Sequence, residues 1–128
     1  MTNLKIFALS AMENLAKAQR NRKILLNYLL KLVAECPEWI AVVAFYSALH
    51  FVDAYYAKMG MRFQRHEDRN KEVADSLPSI FESYYKLYDI SVNSRYGCVK
   101  DNPTAGEAKD LVDNDLPVVA QFIESLIH

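Results

Sequence analysis

Residues Trp39–Gly60 read WIAVVAFYSALHFVDAYYAKMG, and from Trp39 to Ala57 only Ser47, His50 and Asp53 are plainly polar. A helix that is apolar on every side belongs at the centre of a bundle, with other helices packed around it. Its polar positions are not scattered. At about 100° per residue, Tyr46, His50 and Asp53 (i, i+4, i+7) fall on one narrow stripe. A buried helix with a single polar stripe either satisfies an internal hydrogen-bond network or lines a cleft.

Working outward, Gly60 is placed to cap this helix and Met61–Arg65 to connect it onward. His66–Leu77 (HEDRNKEVADSL) has only Val73, Ala74 and Leu77 as apolar anchors and reads as a short polar helix. Pro78 suits a first helical turn, so a third long helix is expected over Pro78–Ser91, with Phe81, Tyr84, Tyr85 and Tyr88 on one face. Val92–Gly97 is expected to leave that helix, and Gly97–Pro103 to form a loop. Thr104 and Glu107 fit a capping box at the start of the last helix, which runs to Leu126. Pro117 inside it should kink or split it near Asp113–Leu116, and Leu111, Val112, Val119, Phe122, Ile123 and Leu126 should face inward.

Before the central stretch, Phe7, Ala11, Leu15, Ala18, Leu25, Leu29 and Leu32 recur at helical spacing, which predicts one helix over Leu4–Val33. Pro37 ends it by disfavouring helix at Cys36. The expected fold is all-α, a single domain over residues 1–128: an up-and-down four-helix bundle with a short extra helix between helices two and three. No β pattern, repeat or low-complexity run is present.

The 128 residues suffice for one core, and a net charge of −1 does not suggest a general polyanion binder. That balance hides an asymmetry. Asn14–Lys31 holds five cations and no acid, whereas Asp101–His128 holds six acids against Lys109 alone. Two cysteines, Cys36 and Cys98, and an amino-terminal stretch without signal-peptide character predict a cytoplasmic protein with reduced thiols. Asp53 argues against reading Trp39–Ala57 as a membrane span.

Chemistry is expected at His50, Asp53, His66, Arg69, Arg95 and Tyr96. No metal-binding spacing, nucleophile elbow or phosphate-loop glycine pattern occurs, so neither a metal nor a cofactor is expected. His66 and Arg69 occupy the first turn of a helix, where free N–H groups and the positive dipole end attract anions. Arg62, Arg65, Lys71 and Arg95 add charge. The structural alternative is that His66 packs at the helix start while Arg69 pairs with an acid such as Asp53.

These residues carry a resemblance. Trp39, AVVAFYSALHFVDAYYAKMG, His66-x-x-Arg69 and YYKLYDISVNSRYG together resemble the HEPN domain (higher eukaryotes and prokaryotes nucleotide-binding), in its sub-type with an FYxALH-type helix, H-x-x-R and a late R-Y. The matching block spans roughly Pro37–Gly97. The resemblance implies a helical bundle that dimerises, a ligand such as nucleotide or RNA, and a setting in RNA-directed defence, often beside a nucleotidyltransferase-type partner in a toxin–antitoxin pair. His66 and Arg69 match the H-x-x-R of the sub-type and are the candidates for catalysis, although no catalytic role carries over to them. Read from the residues themselves, the phosphate-binding set is His66, Arg69, Arg95 and Tyr96, with His50, Asp53 and Tyr46 alongside. The Arg-x4–6-His motif of the metal-independent HEPN ribonucleases is missing: three residues separate Arg62 from His66. Three functional classes stay open at this point: a binding module with a degenerate RNase motif, a metal-independent endoribonuclease toxin, or a ligand-free helical dimerisation protein. A homodimer is further expected from Phe45, Phe51 and Tyr55, which lie away from the Tyr46 stripe.

Overall fold

The computed structural model describes residues 9–127. Among the described residues it is all-helical, with no strand. Helix α1 covers Ala11–Asn27, α2 Pro37–Lys58, α3 His66–Ser76, α4 Pro78–Tyr96, α5 Ala105–Asp110 and α6 Leu116–Ile127. Single 3₁₀ turns lie at Leu29–Leu32 and Val99–Asp101, and a π-helical turn at Leu111–Asp115 joins α5 to α6.

Helix α2 is the axis. It packs against α1, α4, α5 and α6, whereas α1 and α4 flank it with little or no packing on one another. Ile40, Ala41, Ala44, Phe45, Ala48, Phe51, Val52 and Ala54 are fully buried. By length and composition α2 could cross a bilayer, but most of its apolar surface is covered inside the bundle. Directions follow from the contacts. Ser47 Oγ donates to the Ala18 carbonyl at 2.8 Å and His50 Nδ1 meets Asn14 Oδ1 at 3.0 Å, so α1 and α2 are antiparallel. Glu38 accepts from Asn102 ahead of α5 and Lys58 donates to the Ile127 carbonyl, so α2 and the last helix run parallel.

Several boundaries differ from the sequence reading. The first helix does not run unbroken from Leu4. It starts at Ala11, because Ser10 accepts from the Glu13 N–H while Glu13 reaches back to the Ser10 N–H. That reciprocal cap satisfies donors that would otherwise continue the helix backwards. Leu4 and Phe7 lie outside the described residues. The helix also ends at Asn27, and the 3₁₀ turn that follows advances about three residues per turn rather than 3.6. The phase shift leaves Leu32 exposed instead of inward.

Helix α4 continues past Ser91 to Tyr96, so Arg95 sits on the helix rather than beyond it. Nothing in Val92–Tyr96 breaks a helix; the first stop is Gly97. Its N–H bonds the Asn93 carbonyl at 2.9 Å, and a Cβ there would lie 2.6 Å from that same oxygen. Gly60, at φ 80°, takes the left-handed position after α2, as its place in the sequence suggested.

The last helix starts at the Thr104–Glu107 capping box and opens into the π-helical turn ahead of Pro117. Pro117 has no N–H to return to residue 113, and the Leu116 N–H reaches back five residues to the Leu111 carbonyl. Leu111, Val112, Val119 and Ile123 are buried, Phe122 is half-buried, and Leu126 is exposed rather than inward. Of the three rings offered to a twin, Phe45 and Phe51 are instead fully buried by the chain's own helices, and Tyr55 is half-buried.

Candidate anion site on the open strip of helix α2

Phe45 is the hub of the site. Its ring lies 5.4 Å from Tyr46, 5.7 Å from His66, 5.9 Å from Tyr84 and 5.6 Å from Tyr88. The Arg95 guanidinium stands 6.0 Å from the same ring, 5.3 Å from Tyr46 and 5.1 Å from Tyr96. Residues from α2, α3 and α4 are thereby gathered around one aromatic side chain, at a distance range typical of ring–ring and cation–π contact.

Arg69 is not a free phosphate ligand. It is buried, and its Nε and Nη2 donate to the two oxygens of Asp53 at 2.8 and 3.2 Å. Nη2 also donates to the Phe63 carbonyl, and Nη1 to His66 Nδ1 at 3.2 Å. The two-pronged geometry is the kind that guanidinium and carboxylate favour. Arg69 therefore positions other groups: it ties α3 to α2 and orients His66.

That orientation fixes the chemistry of the imidazole. A guanidinium has only donors, so His66 Nδ1 must accept, and in the neutral ring the proton sits on Nε2. Burial holds the His66 proton affinity below its ordinary value, with the charges of Arg69 and Arg95 adding to the effect. His50 takes the opposite tautomer. Asn14 Nδ2 donates to the carbonyls of Leu9 and Ser10, leaving its Oδ1 to accept from His50 Nδ1–H. His50 is likewise lowered, first by burial, with Asp53 pulling upward and Lys17 and Arg69 pulling down.

A pH dependence follows. Both folded values lie under the ordinary 6.5, so the unfolded chain binds protons more readily. The corresponding stability is fully present above 6.5 and is lost as pH falls through the folded values. The melting temperature is expected to stay level between about pH 7 and 8 and to fall from about pH 6.5 towards pH 5, above the range where carboxylates dominate. A His50→Gln, His66→Gln double variant should flatten that slope; an unchanged slope would refute the assignment.

Arg95 carries the strongest unmet demand. Nη1 donates to Tyr46 Oη at 2.7 Å and Nε to the Ser91 carbonyl at 3.3 Å. Nη2 is buried and has no hydrogen-bond partner. A buried donor left unsatisfied costs about 1–3 kcal/mol, more when charged. Tyr46, accepting from Arg95, keeps its own O–H proton to give. Tyr46 O–H, Arg95 Nη2–H and His66 Nε2–H thus form three donors around Phe45, and the acid nearby, Asp53, is engaged by Arg69. Beside them the first turn of α3 has no side-chain cap, since Arg65 at the N-cap position supplies none.

Of the residues expected from sequence, Tyr46, His66, Arg69, Arg95 and Asp53 come together. Tyr96 stacks on Arg95 while remaining 77% exposed, and His50 lies further along the strip, tied to α1. Asn14 and the Phe45 hub went unanticipated. Asn14 was visible as a polar residue beside Leu15 on the inward side of α1. Among the described residues no cluster of His, Cys, Asp or Glu could hold a metal ion. A cleft of about 250 Å³, lined by Arg22, Leu26, Val112, Leu116, Pro117 and Gln121, shares no residue with this cluster. Its guanidinium, Arg22, is bound by Glu124, so it offers an apolar recess rather than chemistry. No family model, curated protein or solved structure matches the chain.

Proposed function

We propose that this chain is a HEPN-like helical module that binds the phosphate of a nucleotide or RNA, in the defence or toxin–antitoxin setting that the resemblance implies. One observation carries the reading: the Arg95 guanidinium, caged by Phe45, Tyr46 and Tyr96, has a buried donor with no acceptor. A phosphate oxygen reaching Nη2 past the exposed Tyr96 ring would satisfy it, with Tyr46 O–H and His66 Nε2–H as further donors. The bundle is compatible with the HEPN type, whose homodimer and nucleotidyltransferase-type partner come with the proposal.

A binding role is favoured over an endoribonuclease one by the state of His66. A general base needs a free lone pair near the proton it removes. The Nδ1 lone pair of His66 is taken up by Arg69, and Nε2 carries the proton.

Isothermal titration at low salt with uridine monophosphate and with a short single-stranded RNA tests the reading. Binding is expected to weaken with salt and to fall about tenfold or more in Arg95→Ala, as for loss of a charged hydrogen bond. Arg95→Lys should retain part of it. Absence of heat with either ligand, or an Arg95→Ala variant that binds as the parent does, would overturn the proposal.

A further inference from the structure

The anion site is one point on a longer furrow. Trp39, Val43, Tyr46, His50 and Asp53 share one face of α2, and that face is left partly or wholly open while the rest of the helix is largely buried. From Trp39 to Asp53 the strip measures about 21 Å. One wall is α1, the other α4, and the two pack on each other little if at all.

The walls carry unlike chemistry from an apolar groove. On α1, Asn14 reaches His50, and Lys17, one turn further, shares that side and lowers the proton affinity of His50. Lys17 is exposed and has no salt bridge among the described residues. On α4, Arg95 faces it across Tyr46. With Ala18 opposite Ser47, the antiparallel register brings Tyr28 level with the first turn of α2. Tyr28 and Trp39 are 65% and 64% exposed. Glu38 beside them is turned to Asn102, and Asp53 at the far end is closed by Arg69. Rings at one end and cations on both walls therefore line a track on which Glu38 and Asp53 are engaged. Glu13, one turn before Lys17 on α1 and near enough to feel its charge, is held in the Ser10 cap.

We infer that this furrow holds a single-stranded nucleic acid, with a base stacked on Trp39 and successive phosphates on Arg95 and Lys17. The inference rests on the phosphate reading of Arg95 and adds to it the path the strand takes, with Trp39 as its stacking platform and Lys17 as its second phosphate contact. Stacking on exposed rings beside a cationic groove is how strands are held without reading their sequence. An apolar peptide would bury the charges of Lys17 and Arg95 without partners, and a free phosphate would have no use for the rings.

Trp39 is the single tryptophan of the chain, so its emission reports on the furrow directly. The probes are uridine monophosphate, a single-stranded oligouridylate of about ten nucleotides and polyglutamate. The oligonucleotide is expected to bind at least about tenfold more tightly than the mononucleotide and to quench Trp39. Trp39→Ala should remove most of that advantage and Trp39→Phe retain it, with circular dichroism confirming that both fold. Lys17→Ala should reduce the logarithmic salt slope by about 0.7.

If the mononucleotide binds through Arg95 but the strand binds no tighter and leaves Trp39 unquenched, the furrow is overturned and the phosphate site stands. If the strand quenches Trp39 while Arg95→Ala changes nothing, the phosphate site fails and the inferred path of the strand past Arg95 fails with it. Quenching by polyglutamate in preference to the strand assigns the furrow to an acidic protein and overturns the inference. No binding of any probe removes both readings.

Discussion

Asp53→Ala is expected to destabilise the fold by about 3 kcal/mol or more, because it leaves the Arg69 guanidinium buried without its counter-ion. The pair is well enclosed: the side chain of Arg69 is 7% exposed and that of Asp53 19%. Both carboxylate oxygens are engaged, and the remaining bonds of Arg69, to Phe63 and His66, do not neutralise it. For a chain of this size the midpoint of thermal unfolding should drop by roughly 10 °C. The partner experiment separates charge from packing. Replacing both members, Asp53→Leu with Arg69→Met, should recover much of the loss, since an apolar pair carries no desolvation penalty. Urea unfolding of the three proteins decides it; a loss under about 1 kcal/mol in Asp53→Ala would show that water already solvates Arg69.

Phe45→Ala should cost about 3–5 kcal/mol, the range for truncating a buried aromatic residue. Phe45 is fully buried and touches rings from α2, α3 and α4. Its removal opens a void under His66 and takes away one face of the Arg95 cage, so anion binding should weaken even at temperatures where the variant is folded. Phe45→Leu keeps most of the volume and should cost far less. Calorimetry gives the stability and titration with uridine monophosphate the binding. If Phe45→Ala loses stability yet binds as the parent does, the ring supports the core only and not the donors above it.

The positions that the sequence reading placed well carry local signals. The all-apolar face of α2, Gly60 after it, Pro78 at a helix start, the Thr104–Glu107 box and the split before Pro117 each follow from the chemistry of one or two residues. The missed features depend on competition between signals or on distant partners. Ser10 and Glu13 form the same kind of box as Thr104 and Glu107, but the apolar spacing Phe7, Ala11, Leu15 runs across it. Helix α4 runs on to Gly97, the first residue after Pro78 that stops a helix, although its aromatic face ends at Tyr88 and so suggested an end near Ser91. An entirely apolar helix also hides which of its rings are covered from within, and so Phe45 was assigned to a twin. The Asp53–Arg69 pairing was legible as an alternative; the tautomers of His50 and His66 were not, since they depend on Asn14 and Arg69 arriving from other helices.

The wide turn at Leu111–Asp115 settles a geometric problem in the last helix. Ala108, Val112, Leu116 and Ala120 are buried at a constant spacing of four, and so are Leu111, Asp115, Val119 and Ile123. In an ordinary helix each such step rotates by about 40°, so these rows would spiral off the core within a few steps. The turn unwinds the backbone just where the drift accumulates. A chain lacking one residue there would rotate everything downstream by about a quarter-turn, carrying Val119 and Ile123 towards water and Glu124 away from Arg22. The length of this segment is thus as much a determinant of the fold as the identity of its residues.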